Sequence, residues 1–385
     1  MRFFVTHLRK NAMPIFSSPV LYYHRRKLNM LLTEDTHMIR AGIIGFGYMG
    51  HFHLKKSREL GEIQVVAAYD INEEKLKDAR EEGLEAFSCL NCFLKKDLDL
   101  VFVCTPNNVH AELSIACLNA GKNVMCEKPV TMNSAELEQV IAAANQNGKL
   151  FTVHQNRRWD VDYLMVKKVV DSGEIGQITS LQSRVYGQRG VCFGWRADPV
   201  AGGGMLYDWG IHLIDQYLCM FRGHKVTSVY ARLQSILTPA VDDSFEVQLI
   251  FDNNVCAKVQ VGTFCLQDLP RWFVYGDRGT LKIDDFSGKT GGMARIKGQV
   301  QGFDSVFGKN LGPSRTMAPL KPEYLETLEM PQAETDPYEY HRNLVAAIEG
   351  KEALYVSHED MLRDMKIVDL AFESSAKNEV IKTCI

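Results

Sequence analysis

Gly45-Phe46-Gly47-Tyr48-Met49-Gly50 constrains the fold more than any other stretch of this chain. A short apolar run, Ala41 to Ile44, precedes it and reads as a buried strand. A helix-length segment of mixed polarity follows, then a second apolar run, Ile63 to Tyr69, which ends on Asp70. Strand, glycine turn, helix, strand and acid in that order make a dinucleotide-binding unit. Gly45 permits the tight turn, Gly47 lets backbone approach a pyrophosphate, and Gly50 lets helix and strand pack closely. The helix that starts at this turn offers unpaired N–H groups and the positive end of its dipole to phosphate. A carboxylate at Asp70 accepts from a ribose 2′-hydroxyl and repels a 2′-phosphate, and the following Ile71-Asn72 brings no arginine, so the expected cofactor is NAD.

The rest of the first half continues the alternation. A helical segment, Glu73 to Glu82, and a short element near Ala86 lead to the apolar strand run Leu98 to Cys104, which opens into Thr105-Pro106-Asn107-Asn108-Val109-His110. Proline and asparagine directly after a buried strand make a loop at the carboxyl edge, where open α/β sheets bind ligands. A helix, Ala111 to Ala120, stops at Gly121. A strand, Asn123 to Cys126, ends in Glu127-Lys128-Pro129; a helix, Ser134 to Asn147, and a strand, Leu150 to Val153, follow. The pattern predicts a doubly wound parallel sheet to about residue 155. Beyond a further helix, Tyr163 to Ser172, the period falls to two in Ile178–Tyr186, Val226–Leu237, Ser244–Phe251, Val255–Phe264, Trp272–Tyr275 and Thr280–Ile283. That is the mark of a mostly antiparallel sheet with one solvated face. Gly288 to Pro322, rich in Gly, Lys and Ser, reads as a long loop or contact arm, and two amphipathic helices, Pro337 to Glu349 and His358 to Ala376, end the chain. The expected fold class is α/β: an N-terminal Rossmann domain over 38–156 and an α/β domain over 157–385.

Residues 1 to 37 stand apart, with six Lys or Arg and no acid before Glu34. A targeting leader is one reading. The preferred one is a bacterial start at Met38, because Thr33-Glu34-Asp35 can be encoded with a ribosome-binding GGAGG ahead of it. A chain of 385 residues with 46% hydrophobic and 24% charged residues has room for two cores. A net charge of −3 gives no case for nucleic acid or a membrane surface. Ten scattered cysteines, with Cys104, Cys117, Cys126 and Cys219 in apolar patterns, suit a reducing, cytoplasmic compartment. Cys89 and Cys92 form one CxxC with no second pair at zinc spacing, so a structural role is favoured and no metal is expected.

Two further constellations carry chemistry. Lys128, at the end of a strand on the same edge as the glycine turn, is placed to point where a nicotinamide would lie. Gly202-Gly203-Gly204-Met205-Leu206-Tyr207-Asp208-Trp209-Gly210-Ile211-His212-Leu213-Ile214-Asp215 reads as a helix after three glycines. Its i, i+4 spacing puts Asp208 and His212 on one face, with Asp215 near the same stripe. Such an Asp–His pair suits proton exchange with a hydroxyl.

With the glycine turn, the TPNNVH loop, the EKP tripeptide and the GGGMLYDWGIHLID helix in this order, the chain over residues 38 to 383 resembles the Gfo/Idh/MocA family. That family includes glucose-fructose oxidoreductase and inositol 2-dehydrogenase. Gln155-Asn156-Arg157-Arg158-Trp159-Asp160 is similar to the branch of scyllo-inositol dehydrogenases and related sugar oxidoreductases. The resemblance implies a catalytic set of Lys128, Asp208 and His212, in which His212 takes the hydroxyl proton with help from Asp208 and Lys128 stabilises the oxygen. It also implies Arg157 in the substrate pocket and Trp195-Arg196 near the nicotinamide. Cofactor contacts are expected at Gly45, Gly47, Tyr48, Met49, Gly50, Asp70, Ile71, Thr105, Pro106, Asn107, Asn108, His110, Glu127, Lys128, Gln155, Trp195 and Arg196. The implied activity is NAD-dependent oxidation of a secondary hydroxyl on a cyclic polyol, sugar or glycoside, in a dimer or tetramer formed through the second sheet. The alternatives are a glycoside-cleaving enzyme that keeps NAD and oxidises C3 transiently, and a nucleotide-binding sensor without turnover.

Overall fold

The computed structural model describes residues 38–190, 192–298 and 320–385, together with the backbone of 306–308 and 312–314. The reading of 1–37 as a leader falls outside the described residues. One compact unit runs from Ile39 to Ile385.

Six parallel strands form the first sheet: β1 (Ile39–Ile44), β2 (Ile63–Tyr69), β3 (Glu85–Phe87), β4 (Leu100–Val103), β5 (Asn123–Cys126) and β6 (Phe151–Val153), in the order β3-β2-β1-β4-β5-β6. β4 is buried along its whole length, which is why it reads as a continuous apolar run rather than an alternating one. Truncating a side chain such as Phe102 in that layer costs about 3–5 kcal/mol. The crossovers are α1 (Tyr48–Leu60), α2 (Glu73–Glu81), α3 (Leu90–Leu94), α4 (His110–Asn119) and α5 (Ser134–Asn147). Local chemistry sets their ends: the Asn72 and Asn133 side chains accept from the Glu74 and Glu136 amides, and Gly148 ends α5 in the left-handed region. The strand order reverses at β1, so a crevice opens beyond the carboxyl ends of β1 and β4.

After α6 (Val161–Ser172) the chain builds a nine-stranded sheet. It contains β7 (Ile178–Tyr186), β8 (Val226–Gln234), β9 (Ser244–Phe251), β10 (Cys256–Gly262), β11 (Trp272–Gly276), β12 (Gly279–Ile283), β13 (Gly291–Ile296), β16 (Leu325–Leu328) and β17 (Ile381–Lys382), in the order β16-β13-β12-β11-β7-β10-β9-β8-β17. Neighbours are antiparallel except β7 with β10. β9 shows the period of two directly: Phe245, Val247, Leu249 and Phe251 are buried and the residues between them are not. A two-stranded ladder, β14 (Val306–Gly308) with β15 (Gly312–Ser314), lies apart from the large sheet.

Gly288 to Pro322 is therefore not a loop throughout. Gly291–Ile296 pairs with β12 and β16, and its pattern is faint because two glycines open it and only Met293 is buried. The short edge strands β16 and β17 also escaped the sequence pattern, having only four and two residues. Helix α7 (Ile211–Met220) and the terminal helices α8 (Glu339–Ile348) and α9 (His358–Lys377) complete the unit. The last two return to the first sheet. Tyr340 of α8 donates its hydroxyl to the Val153 carbonyl at 2.8 Å, and Asp369 of α9 accepts from the Ser134 amide at the start of α5 at 3.0 Å. The two sheets are thus tied by the end of the chain as well as by its middle.

Candidate active site

The glycine turn has the geometry its spacing requires. Gly45 has φ +87°, and a β-carbon there would lie 2.7 Å from the Cys104 carbonyl oxygen. At Gly50 a β-carbon would come within 2.6 Å of the Gly45 oxygen, so only glycine lets α1 start this close to β1. At Gly47 it would meet nothing within 4 Å, which leaves the space over the turn open to a pyrophosphate. Asp70 accepts from the Phe46 amide and the Asn72 amide, each at 2.8 Å, so its carboxylate is fixed against the turn. Tyr48 on the turn and Ile71, directly after Asp70 in the chain, are 86% and 88% exposed.

Four of the other expected cofactor contacts have side chains hydrogen-bonded within the protein. Asn107 is buried and donates to the Gly202 carbonyl at 2.7 Å, joining the two halves. His110 lies between the Pro129 and Thr105 carbonyls, its Nδ1 and Nε2 at 2.8 and 2.9 Å from their oxygens, and so ties the two loops together. Glu127 is buried between His53 and His154, and Gln155 is taken up by His212 and Asp364. Buried polar groups need partners, and here those partners are protein.

Lys128 closes the gap between the halves. Its Nζ donates to Asp208 Oδ1 at 2.7 Å and to the Asp208 carbonyl at 2.6 Å; Arg196, stacked on Trp195 with its guanidinium carbon 4.5 Å from the ring centroid, reaches the same Oδ1 at 3.2 Å. Burial would raise the Asp208 carboxyl, but the Lys128 and Arg196 charges outweigh it and hold the group below its usual range.

This corrects the expected Asp208–His212 pair. Leu206–Gly210 is a turn of π-helix that runs into α7, so the spacing of an ordinary helix does not carry across it. Asp208 turns to Lys128 and Arg196. His212 takes its partner from β6's far end: Nδ1 lies 2.9 Å from Gln155 Oε1, while Gln155 Nε2 donates to Asp364 at 3.3 Å. A carboxamide oxygen only accepts, so Nδ1 carries the proton and Nε2 keeps its lone pair, with no partner among the described residues. Burial, then the Lys128 and Arg157 charges, push the imidazole well below its ordinary pKa, which leaves it neutral and able to accept a proton. Asp215 leaves the stripe as well, pairing with buried Arg158 at 2.5 Å; Arg158 also reaches Asp360 at 3.2 Å and so pins the segment that carries Gln155.

Arg157 pairs with Asp160 at 2.8 Å and lies 4.1 Å over the Trp209 ring. It lines a cavity of about 610 Å³ with Asn156, Trp159, Trp209, Phe286 and Tyr340. Lys128, Asp208 and His212 do not line it; Trp209, next to Asp208 in the chain, and Asn156, next to Gln155, do.

Sequence reasoning missed a second buried cluster. His53 Nε2 and His154 Nδ1 both lie against Glu127 Oε1, at 2.8 and 2.9 Å, and His53 Nδ1 is 3.1 Å from His341 Nε2. Burial lowers His53 to about 4; it would raise Glu127, but His154 and His53 hold that carboxyl well below the usual range. The ligand atoms of His53, Glu127 and His154 lie within 4.8 Å of one another, and all are already hydrogen-bonded. Only the placement of Glu127 at a strand end hinted at this group.

The profile of the oxidoreductase family with an NAD-binding Rossmann fold matches residues 39–155, and that of the GFO/IDH/MocA C-terminal domain matches residues 163–282. The scyllo-inositol 2-dehydrogenase (NADP(+)) of Bacillus subtilis is 28% identical over 347 residues, covering 89% of this chain and 95% of that protein. The inositol 2-dehydrogenase of Salmonella paratyphi B is 30% identical over 234 residues, 59% of this chain and 68% of that protein. Among solved structures, an NAD-binding protein from Listeria innocua superposes with a TM-score of 0.81 at 34% identity, covering 90% of this chain and 97% of that one. No helix among the described residues is long and apolar enough to cross a membrane. Turn, sheets and profiles agree: the chain belongs to the Gfo/Idh/MocA oxidoreductase family, with a Rossmann domain built for a nicotinamide cofactor.

Proposed function

We propose that this protein is an NAD-dependent dehydrogenase acting on a secondary hydroxyl of a cyclic polyol, sugar or glycoside. Residues 38–156 hold the nucleotide, and 157–385 bind substrate and form the contact between copies. The nicotinamide, when bound, supplies the hydride acceptor. His212 Nε2 takes the hydroxyl proton, and Gln155 holds the ring in the tautomer that leaves this atom free. Lys128 Nζ donates to the same oxygen and stabilises the negative charge that develops on it. Asp208 orients Lys128, a different assistance from the one its spacing to His212 suggested. Arg157 and Trp209 bound the substrate on the cavity side.

The observation that carries this reading is the meeting of a Lys128 ammonium from one sheet's edge with the Asp208 carboxylate of the other half, next to a neutral imidazole with one free nitrogen. NAD is preferred because the Asp70 carboxylate is fixed at the end of β2 and no arginine follows it. The Bacillus relative named as NADP(+)-dependent makes this the point to test directly.

Reduction of NAD and of NADP, followed by absorbance with inositols, aldoses and O- and C-linked glucosides, is the experiment. NADH formation with at least one polyol or sugar supports the reading. A consistent preference for NADP breaks the Asp70 argument, sugar release without net NADH points to the NAD-retaining alternative, and silence across the panel breaks the dehydrogenase assignment. Lys128→Ala should lower kcat about 10²- to 10³-fold.

A further inference from the structure

All ten cysteines of the chain are free, and they fall into distinct environments. Cys117 and Cys126 are buried, and burial pushes the Cys117 thiol up to about 12; such thiols are inert. Cys384 is exposed, with the Lys225 ammonium 3.6 Å from its sulfur. Cys89 and Cys92 differ from all of these. Both are exposed, and their sulfurs lie 2.9 Å apart, the Cys92 thiol donating to Cys89. We propose that Cys89 and Cys92 are a thiol–disulfide exchange pair that closes reversibly to an intramolecular disulfide at the expense of a low-molecular-weight disulfide.

The backbone is already folded for it. The Cys92 and Phe93 amides both donate to the Cys89 carbonyl at 3.1 Å, so one tight turn sets the two side chains on the same side. Residues three apart on such a turn are neighbours on one face, and sulfurs already 2.9 Å apart must close by less than about 1 Å to reach the S–S bond length of about 2.05 Å. The turn is held from below. Phe93 is fully buried, packs on the Tyr69 and Phe87 rings, and fills the space a β-carbon at Gly42 would occupy. Among the described residues, the one metal-competent group of His, Cys, Asp and Glu is the His53 cluster, so no third ligand stands beside this CxxC to make it a zinc site.

The hydrogen bond from Cys92 assigns the roles. It favours the Cys89 thiolate, and Lys95 adds a positive charge nearby. Cys89 sulfur attacks a disulfide RSSR, forming a Cys89–SR mixed disulfide and releasing one thiolate RS⁻. Cys92, losing its proton to solvent, attacks the Cys89 sulfur, forms the Cys89–Cys92 bond and releases the second RS⁻. Two protein thiols are oxidised and one small disulfide is reduced to two thiols, with no other oxidant. The pair sits at the nucleotide end of the molecule: the carbonyl of Phe87, two residues before Cys89, receives the Asp70 amide at 3.3 Å.

The test equilibrates the full-length protein in reduced and oxidised glutathione mixtures, traps remaining thiols and maps peptides by mass. The wild-type peptide carrying both cysteines should lose two hydrogens, half-convert at a defined glutathione ratio, and recover in dithiothreitol. Cys92→Ser should stall with glutathione on Cys89, and Cys89→Ser should leave Cys92 at least about tenfold slower to react. Neither residue belongs to the catalytic set, so turnover of both reduced variants should equal wild type, which confirms their folding. Stable glutathione on Cys89 of the wild-type protein, or a Cys89–Cys92 peptide unchanged at every ratio, overturns the proposal.

Discussion

His212 and His53 are both buried histidines with lowered pKa values, yet they sit in opposite situations. His53 spends both nitrogens on the protein, one on Glu127 and one on His341. His212 spends one, on Gln155, and keeps the other. The same burial that makes each imidazole neutral therefore leaves a fully bonded group in one place and, in the other, the group proposed as the base. A perturbed pKa marks a candidate; an unspent ring nitrogen separates one histidine from the other.

Removing the unspent atom should give the largest effect. His212→Asn is expected to lower kcat/KM about 10³-fold while the dissociation constant for the dinucleotide, measured by fluorescence quenching, stays within twofold. A variant within tenfold of wild type would erase the distinction between the two histidines.

The other side of the comparison is stability. Glu127→Gln places an amide N–H₂ among imidazole N–H donors in a buried cluster and removes the charge they share; unfolding in urea should show a loss of about 3 kcal/mol. Turnover per folded molecule should fall far less than in His212→Asn. Next comes Gln155→Glu, which sharpens the contrast without deleting anything. A carboxylate against Nδ1–H stabilises the imidazolium, so His212 should titrate higher and the acid limb of kcat/KM should move up by about one pH unit. A profile superimposable on wild type would mean that Gln155 does not set the state of His212.

The smallest effect concerns the helix that carries Asp208 and His212. Asp242 accepts from the Leu206 amide at its start, and burial raises its carboxyl to about 7. The folded state therefore holds this proton more tightly than the unfolded one. Its contribution is complete below about pH 4 and is lost as pH rises through about 7. Asp242→Asn keeps an acceptor without the titration, so it should be more stable than wild type by about 1 kcal/mol at pH 8 and no more stable at pH 5, by thermal melts.

Legibility in the sequence differs sharply between these regions. Gly45, Gly50 and Asp70 could be read because strand, turn and helix are short-range structures, each residue judged by its immediate neighbours. Helix limits fell within a few residues for the same reason. The sequence singled out Asp208 and His212, but the structure does not pair them: a π turn changed the register, and Lys128 and Gln155 supplied partners from elsewhere. His341 gave no signal at all, being an ordinary histidine on an amphipathic helix until α8 packs against α1. Gly291–Ile296 hid as a loop because glycines carry no alternation to read.

The sequence alone determined the doubly wound half, the change to a mostly antiparallel sheet, and the residue types available at the sheet edge, since spacing and polarity are written along the chain. The tertiary structure decided which of those groups meet. Lys128 and Asp208 are 80 positions apart, and Gln155 and His212 are 57 apart. Contacts over such separations depend on how two sheets are tied together, and in a buried polar site each hydrogen bond formed removes an atom from those left for substrate.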